Sequence, residues 1–421
     1  MGIYKDIESN VRGYCRSFPV TFKTAKNALL TDDQGTEYID FLGGAGTLNY
    51  GHNNPKFKEA LIEYIESDGI THGLDMHTEA KGAFLETFRD LILEPRDMNY
   101  KVQFTGPTGT NAVEAALKIV RMNTGRSTVV SFTNGFHGVT QGAAAVTANG
   151  YYKKSIGMEL PGVQFMPFDG YLGDFNTLSY FEKALKDKSS GLGHPAAVIV
   201  ECIQGEGGLN VASKEWMQGL QDLCKRYEML LIVDDIQAGC GRSGTFFSFE
   251  EFGIQPDVIT LSKSLSGYGL PFALVLLKEE LDTWSPGEHN GTFRGNNHAF
   301  VTARRALECY WADDTFSQSV QHKASIIRRR LKEIQAEHGG QLKHKGRGIM
   351  QGLECANGEV AGKITELAFT RGLIIETSGS DSQVVKILTP LTIEEDQLLK
   401  GLKILEACIG DVMAEQISKA S

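Results

Sequence analysis

The chain has 421 residues, 41% of them hydrophobic and 22% charged, and its 42 Lys and Arg against 52 Asp and Glu leave a formal charge of −10. That is a globular composition, long enough for two or three domains with cores of their own. A pI near 5.6 without a Lys/Arg block excludes nucleic acid as the main partner, and the longest nearly apolar stretch, Leu270 to Leu277 with Pro271 inside it, is far short of the roughly 20 residues a membrane helix needs.

Residues 1–10 are mixed and charged, with no apolar signal core, and Asp6 stands where a myristoylation pattern wants Ser or Thr. A cytoplasmic protein is expected. The seven cysteines are widely spaced with no C-x-x-C pair, which fits reduced thiols. No H-E-x-x-H occurs, and His72 and His77 do not share a helix face, so no metal site is expected.

In chain order, Ala28 to Thr31 and Thr36 to Phe41 predict a hairpin around Asp33-Gln34-Gly35. Strand-like runs then alternate with helical patterns: Val102 to Thr105, Thr128 to Phe132, Val163 to Met166, Ala196 to Glu201, Met229 to Asp234, Asp257 to Ser262 and Pro271 to Leu277. Such Val- and Ile-rich runs predict a largely parallel sheet covered by helices on both faces. Helices are predicted over Asn111 to Met122, with Asn111 and Glu114 as a capping box, over Ser213 to Tyr227 with Ser213 as N-cap, over Asn297 to Ala312, and near Asp314 to His338. Ile349 to Glu354, Leu373 to Glu376 and Val384 to Leu388 predict short strands of a smaller α+β unit that the N-terminal hairpin could join. The expected division is residues 1–55 as the N-terminal part of a small domain, 56–320 as a large domain and 321–421 as the rest of the small one.

Gly239 to Gly244 spells G-x-G-x-x-G after a strand, but Asp234 to Ala238 intervene and Thr245 to Phe249 reads as extended rather than as a helix over a pyrophosphate, which argues against a dinucleotide site. A different pattern emerges when strand ends are read together. Met229 to Val233 leads into Asp234, and Val258 to Ser262 leads into Lys263. In a parallel sheet both side chains reach the carboxyl edge, where open α/β folds bind ligands. A simple ion pair is one reading of the two. The other is a lysine that forms a Schiff base and a carboxylate that keeps a pyridine nitrogen protonated, the requirements of pyridoxal phosphate. Thr108-Gly109-Thr110 at a helix start suits a phosphate, and Phe136 offers a face for a ring.

The ordered set Thr108-Gly109-Thr110, Phe136-His137-Gly138, Glu201 through Gly208, Asp234 through Gln237, Ser262 through Gly267 and Gly291-Thr292-Phe293 resembles the fold-type I, class III aminotransferases over nearly the whole chain. The resemblance implies an α/β fold with a mainly parallel seven-stranded sheet, a smaller α+β domain built from both termini, and pyridoxal 5'-phosphate as cofactor. It implies that Lys263 bonds the cofactor and later shuttles a proton, that Asp234 pairs with the ring nitrogen, that Gln237 approaches the phenolic oxygen and that Phe136 stacks on the ring. Gly109 and Thr110 would hold the phosphate, joined by Thr292 of a neighbouring subunit, so a homodimer or higher homo-oligomer with shared sites is implied. The partners are a small-molecule amino donor and an oxo-acid acceptor.

In this family the glutamate at Glu206 pairs with an arginine near the C-terminus and frees it for a dicarboxylate. Here Lys386 stands where that arginine is expected, and lysine lacks its bidentate fork. Arg294 becomes a second candidate for a carboxylate anchor, with a surface salt bridge as its ordinary alternative. Residues 11–19, 234–250 and 270–276 resemble a subgroup whose implied reaction moves the terminal amine between L-glutamate and L-aspartate 4-semialdehyde, giving L-2,4-diaminobutyrate, as in ectoine biosynthesis and osmoadaptation. Ornithine, 4-aminobutyrate and an aminomutase reaction are the competing readings.

Overall fold

The computed structural model describes residues 2–420. The expected N-terminal hairpin forms and gains one strand: β1 (Phe22–Lys26), β2 (Leu29–Asp32) and β3 (Glu37–Asp40) pair antiparallel. Its turn is made by Asp32, whose Oδ1 accepts from the backbone N–H of Gln34 at 2.9 Å and of Thr36 at 2.8 Å. Next come β4 (Tyr100–Phe104), β5 (Val129–Phe132), β6 (Val163–Met166), β7 (Ala197–Val200), a short ribbon of β8 (Ile203–Gln204) and β9 (Asn210–Val211), and then β10 (Leu230–Asp234), β11 (Val258–Leu261) and β12 (Leu274–Lys278). The C-terminal part adds β13 (Lys343–Arg347), β14 (Met350–Glu354), β15 (Leu373–Ile374), β16 (Glu376–Ser378) and β17 (Val384–Ile387).

Seven strands form one sheet in the order β4-β12-β11-β10-β7-β5-β6. Only β12 runs antiparallel to its neighbours in it; the other pairings are parallel. The alternation of side chains explains why these runs read as continuously apolar. Leu231, Val233, Ile259 and Leu261 enter the core on one face, while Ile232, Val258, Ala197 and Ile199 enter a second core under the Gly109–Thr124 helix on the other. A smaller sheet has the order β13-β14-β17-β16, and β15 lies parallel to β3, with Leu373 opposite Ile39. Both chain ends therefore contribute to the smaller unit.

Three expectations are corrected. The helix expected from Asn111 starts at Gly109, with Thr108 as its N-cap, and Asn111 accepts a bond from the Thr108 hydroxyl at 2.8 Å. Glu114 caps a different helix: its Oε1 accepts from the N–H of Gly142 at 2.9 Å and of Ala143 at 3.1 Å, in the first turn of Gln141–Val146. Residues 245–249 are turns and bends rather than extended chain, because Phe246, Phe247 and Phe249 all fold inward into the main core. Strand β13, Lys-His-Lys-Gly-Arg, carries no hydrophobic alternation and is held by its backbone ladder to β14.

The turn after β11 is set by close packing. Gly267 lies at φ +75°, and a Cβ there would stand 2.8 Å from the carbonyl oxygen of Thr302 and 2.8 Å from the Cβ of Ala306, both on the Asn297–Tyr310 helix. The Thr302 hydroxyl donates to Ser266 O at 2.6 Å, fastening the turn to that helix. Gly267→Ala is expected to cost about 1–3 kcal/mol in urea unfolding. A loss below about 0.5 kcal/mol would show that the turn does not depend on this approach.

Just past β7, the buried carboxylate of Glu201 accepts the N–H of Phe136 at 2.9 Å and of Gly205 at 3.2 Å, tying two loops together. Burial is the main cause that pushes its carboxyl up to about 7. The fold therefore favours the protonated form. The stability this brings is fully present below the ordinary value of 4.5 and is lost as pH rises to about 7. Glu201→Gln should abolish that loss, so the melting temperature of the variant relative to the parent should climb between those limits and level off above them. A pH-independent difference would contradict the assignment.

Candidate active site

Asp234 ends β10 opposite Thr260 of β11. Its Oδ1 accepts from the Thr260 hydroxyl at 3.0 Å and from the N–H of Ile236 at 3.3 Å, and its Oδ2 lies 2.7 Å from His137 Nδ1. Both Asp234 and His137 are buried. Burial alone would lower the His137 imidazole, but the bond to Asp234 and its charge outweigh that and raise it. The carboxylate is thus fixed from two sides.

Lys263 follows β11 after Ser262, at φ +51°, an uncommon conformation for a residue with a side chain. Its Nζ donates to Ala45 O at 2.9 Å. Ala45 belongs to a left-handed run, Gly43 to Gly46, with φ of 54°, 60°, 56° and 84°. That run turns its carbonyls toward the site: Ser264 Oγ donates to Gly46 O at 2.7 Å, and Gln237 Nε2 donates to Ala45 O at 3.1 Å. Burial, the largest influence, lowers the Lys263 ammonium, with Glu206 opposing it. An amine so placed is readied for nucleophilic and proton-transfer work.

A cavity of about 170 Å³ is lined by Gly109, Thr110, Phe136, His137, Gly138, Glu201, Glu206, Asp234, Ile236, Gln237 and Lys263. The lysine and the aspartate, expected from two strand ends, therefore meet in one space, together with the helix start and the aromatic ring. The Thr108 cap makes no side-chain bond to the first-turn N–H groups of the Gly109–Thr124 helix, which leaves them for an anion. The backbones pack closely here: a Cβ on Gly138 would stand 2.5 Å from Thr110 Oγ1. A second cavity of about 410 Å³ shares Phe136 and Glu206 with the first and is also bordered by Tyr152, Tyr171 and Ser380.

Beneath Glu206 lies a charged cluster. Lys386, on β17, has a side chain with 0% exposure and places Nζ 2.9 Å from Glu206 Oε1 and 3.1 Å from Glu376 Oε1. Glu376 is its cross-strand partner on β16. Although burial acts against charge, Lys386 lowers the Glu206 carboxyl to about 2, and the two carboxylates raise the Lys386 ammonium. Glu376 is raised, chiefly by burial and then by the charge of Glu206. Burial and the charges of Glu376 and Glu206 raise the phenol of Tyr14, in the N-terminal segment.

Thr292 and Arg294 do not join this cluster within one chain. Thr292 is exposed, and Arg294 donates to Phe104 O at 3.4 Å and Asn290 O at 3.1 Å, with neither residue lining the two cavities. His137, Thr260, Ala45 and Glu376 also belong to the site, beyond the residues expected from the sequence. His137 lies inside the Phe136-His137-Gly138 motif, and Glu376 and Lys386 carry opposite charges on neighbouring strands, but local sequence does not set the register that pairs them.

Residues 12–409 match the family described as Aminotransferase class-III. The chain is 57% identical over 417 residues, 98% of its own length and 96% of the relative's, to a diaminobutyrate–2-oxoglutarate transaminase of Bordetella parapertussis. It is 59% identical over 409 residues, 96% of its length and 97% of the relative's, to the protein of that name from Halomonas elongata. Among solved structures it is similar to the ornithine aminotransferase of Toxoplasma gondii, with a TM-score of 0.86 and 25% identity, covering 98% of this chain and 95% of that one. Among the described residues no helix is long and apolar enough to cross a membrane. The chain belongs to the class III aminotransferases, enzymes that work with pyridoxal phosphate on small molecules.

Proposed function

We propose that the protein transfers the 4-amino group between L-glutamate and L-aspartate 4-semialdehyde, giving L-2,4-diaminobutyrate and 2-oxoglutarate, with pyridoxal 5'-phosphate as cofactor. The observation that carries the chemistry is the single cavity in which Lys263 and Asp234 meet below a free helix start. The choice of substrate rests on the relatives of that name, alike over at least 96% of both chains.

The residues fit the cofactor. Gln237 Oε1 is buried without a hydrogen-bond partner, a polar wall atom left for a bound group. Gly109 suits the phosphate side, where a Cβ would press on Ile236 at 3.0 Å. Bound there, pyridoxal phosphate supplies a carbonyl that accepts the amine and a ring that takes up the electron pair left when the neighbouring carbon loses its proton. Asp234 holds a proton on the ring nitrogen, steadied by His137 and Thr260. Lys263 Nζ, which donates to Ala45 O at 2.9 Å, would anchor the cofactor and, once freed, would carry the proton removed from the amine-bearing carbon. First-turn N–H groups at Gly109 and Thr110 bind the phosphate, and Phe136 covers the ring. Glu206, on the cavity wall and backed by Lys386, meets the polar end of each substrate in turn.

Thr292 completes the phosphate site of a neighbouring protomer in a cytoplasmic homodimer or larger homo-oligomer. Supporting that reading, Thr292 is exposed beside Phe293, and Ile70, Leu74 and Met76 are exposed apolar residues. The setting that fits the product is ectoine formation under osmotic stress.

An amine screen with 2-oxoglutarate, with the aldehyde identified, tests the reading. Diaminobutyrate should be turned over at least about tenfold better than ornithine or 4-aminobutyrate; preference for either would replace this substrate, and reaction without any oxo acid would indicate an aminomutase. Lys263→Ala should lose turnover by about 10³-fold or more, together with covalent capture of the cofactor on borohydride reduction. Capture at an unchanged level would remove Lys263 from its role.

A further inference from the structure

Lys386 contacts two carboxylates, Glu206 at 2.9 Å and Glu376 at 3.1 Å. Glu206 lines the cavity, whereas Glu376 and Lys386 lie behind it, facing each other across the antiparallel β16–β17 pair. Glu206 also accepts from Gln237 Nε2 at 3.1 Å. The positive field of Lys386 is thus divided between Glu206 on the cavity side and Glu376 behind. Lys386 so occupied has little positive field to spare for a substrate carboxylate.

The two substrates of the proposed reaction differ in what they present here. Diaminobutyrate, attached through its terminal nitrogen, keeps an ammonium and one carboxylate. Glutamate, attached through its only nitrogen, keeps two carboxylates. Resting on the reading above, we propose that Glu376 is a specificity-determining residue: by sharing Lys386 with Glu206 it biases the site toward the substrate that retains an ammonium and against dicarboxylates. It does so through Lys386 rather than by touching the reacting atoms. Lys263 lies within electrostatic reach of the same cluster, being influenced by Glu206, Lys386 and Glu376 together.

Glu376→Gln keeps the shape of the side chain and removes the charge. In the holoenzyme the ratio of kcat/KM for diaminobutyrate to that for glutamate should fall about tenfold, chiefly through KM, with the two substrates moving in opposite directions. Glu376→Asp should restore most of the original ratio. Calorimetric titration with glutarate, a dicarboxylate without an amine, should show about fivefold tighter binding to the Gln variant, a readout independent of turnover. An unchanged ratio, equal losses for both substrates, or unaltered glutarate affinity would overturn the proposal. If the parent protein turned over no diaminobutyrate, the substrate reading would fall, while the glutarate titration would still decide whether Glu376 restrains dicarboxylates.

Discussion

The structure of the site depends on one buried pair, the Asp234 carboxylate and the His137 imidazole at 2.7 Å. Taking a carboxylate out of water costs several kcal/mol unless hydrogen bonds and opposite charge offset it. Asp234 has both, from His137, Thr260 and the N–H of Ile236. Because Thr260 is its register partner on the adjacent strand, the sheet itself supplies part of the support. Fixing the carboxylate at the strand's end lets the chain bring Lys263 from the next strand to the same cavity.

The rest of the site distributes charge around that pair. Burial lowers the Lys263 ammonium, while the carboxylates of Glu206, Glu376 and Asp234 oppose that. Glu206 faces the cavity and is backed by Lys386 and Glu376, so its charge is matched from behind rather than from the substrate side. Replacing the family's arginine by lysine removes a planar two-pronged grip on a carboxylate and leaves a compact ammonium that two glutamates can share.

Much of this was legible in the chain. The runs that became β5, β7, β10 and β11 are short, rich in Val and Ile, and buried along nearly their whole length, which is why apolar continuity located them. Asp234 and Lys263 were legible because each follows such a run directly, and a parallel sheet sends successive strand ends to one edge. Other features depend on information that local pattern does not hold. The charged strand β13 exists through backbone pairing with β14, and Glu114 caps a helix 28 residues away rather than its own. The Glu376–Lys386 contact requires the register of two short strands, and the Ala45 carbonyl is aimed by a left-handed run whose Gly-Gly-Ala-Gly sequence permits it without specifying its target.

We propose that Asp234, held by His137, keeps a proton on the ring nitrogen of the bound cofactor. Nitrogen-15 NMR of the protein loaded with ring-labelled pyridoxal phosphate measures this directly. A protonated-nitrogen shift is expected in the parent protein, with a displacement toward the unprotonated value in Asp234→Asn. An unprotonated nitrogen in the parent, or the same shift in both, would contradict it.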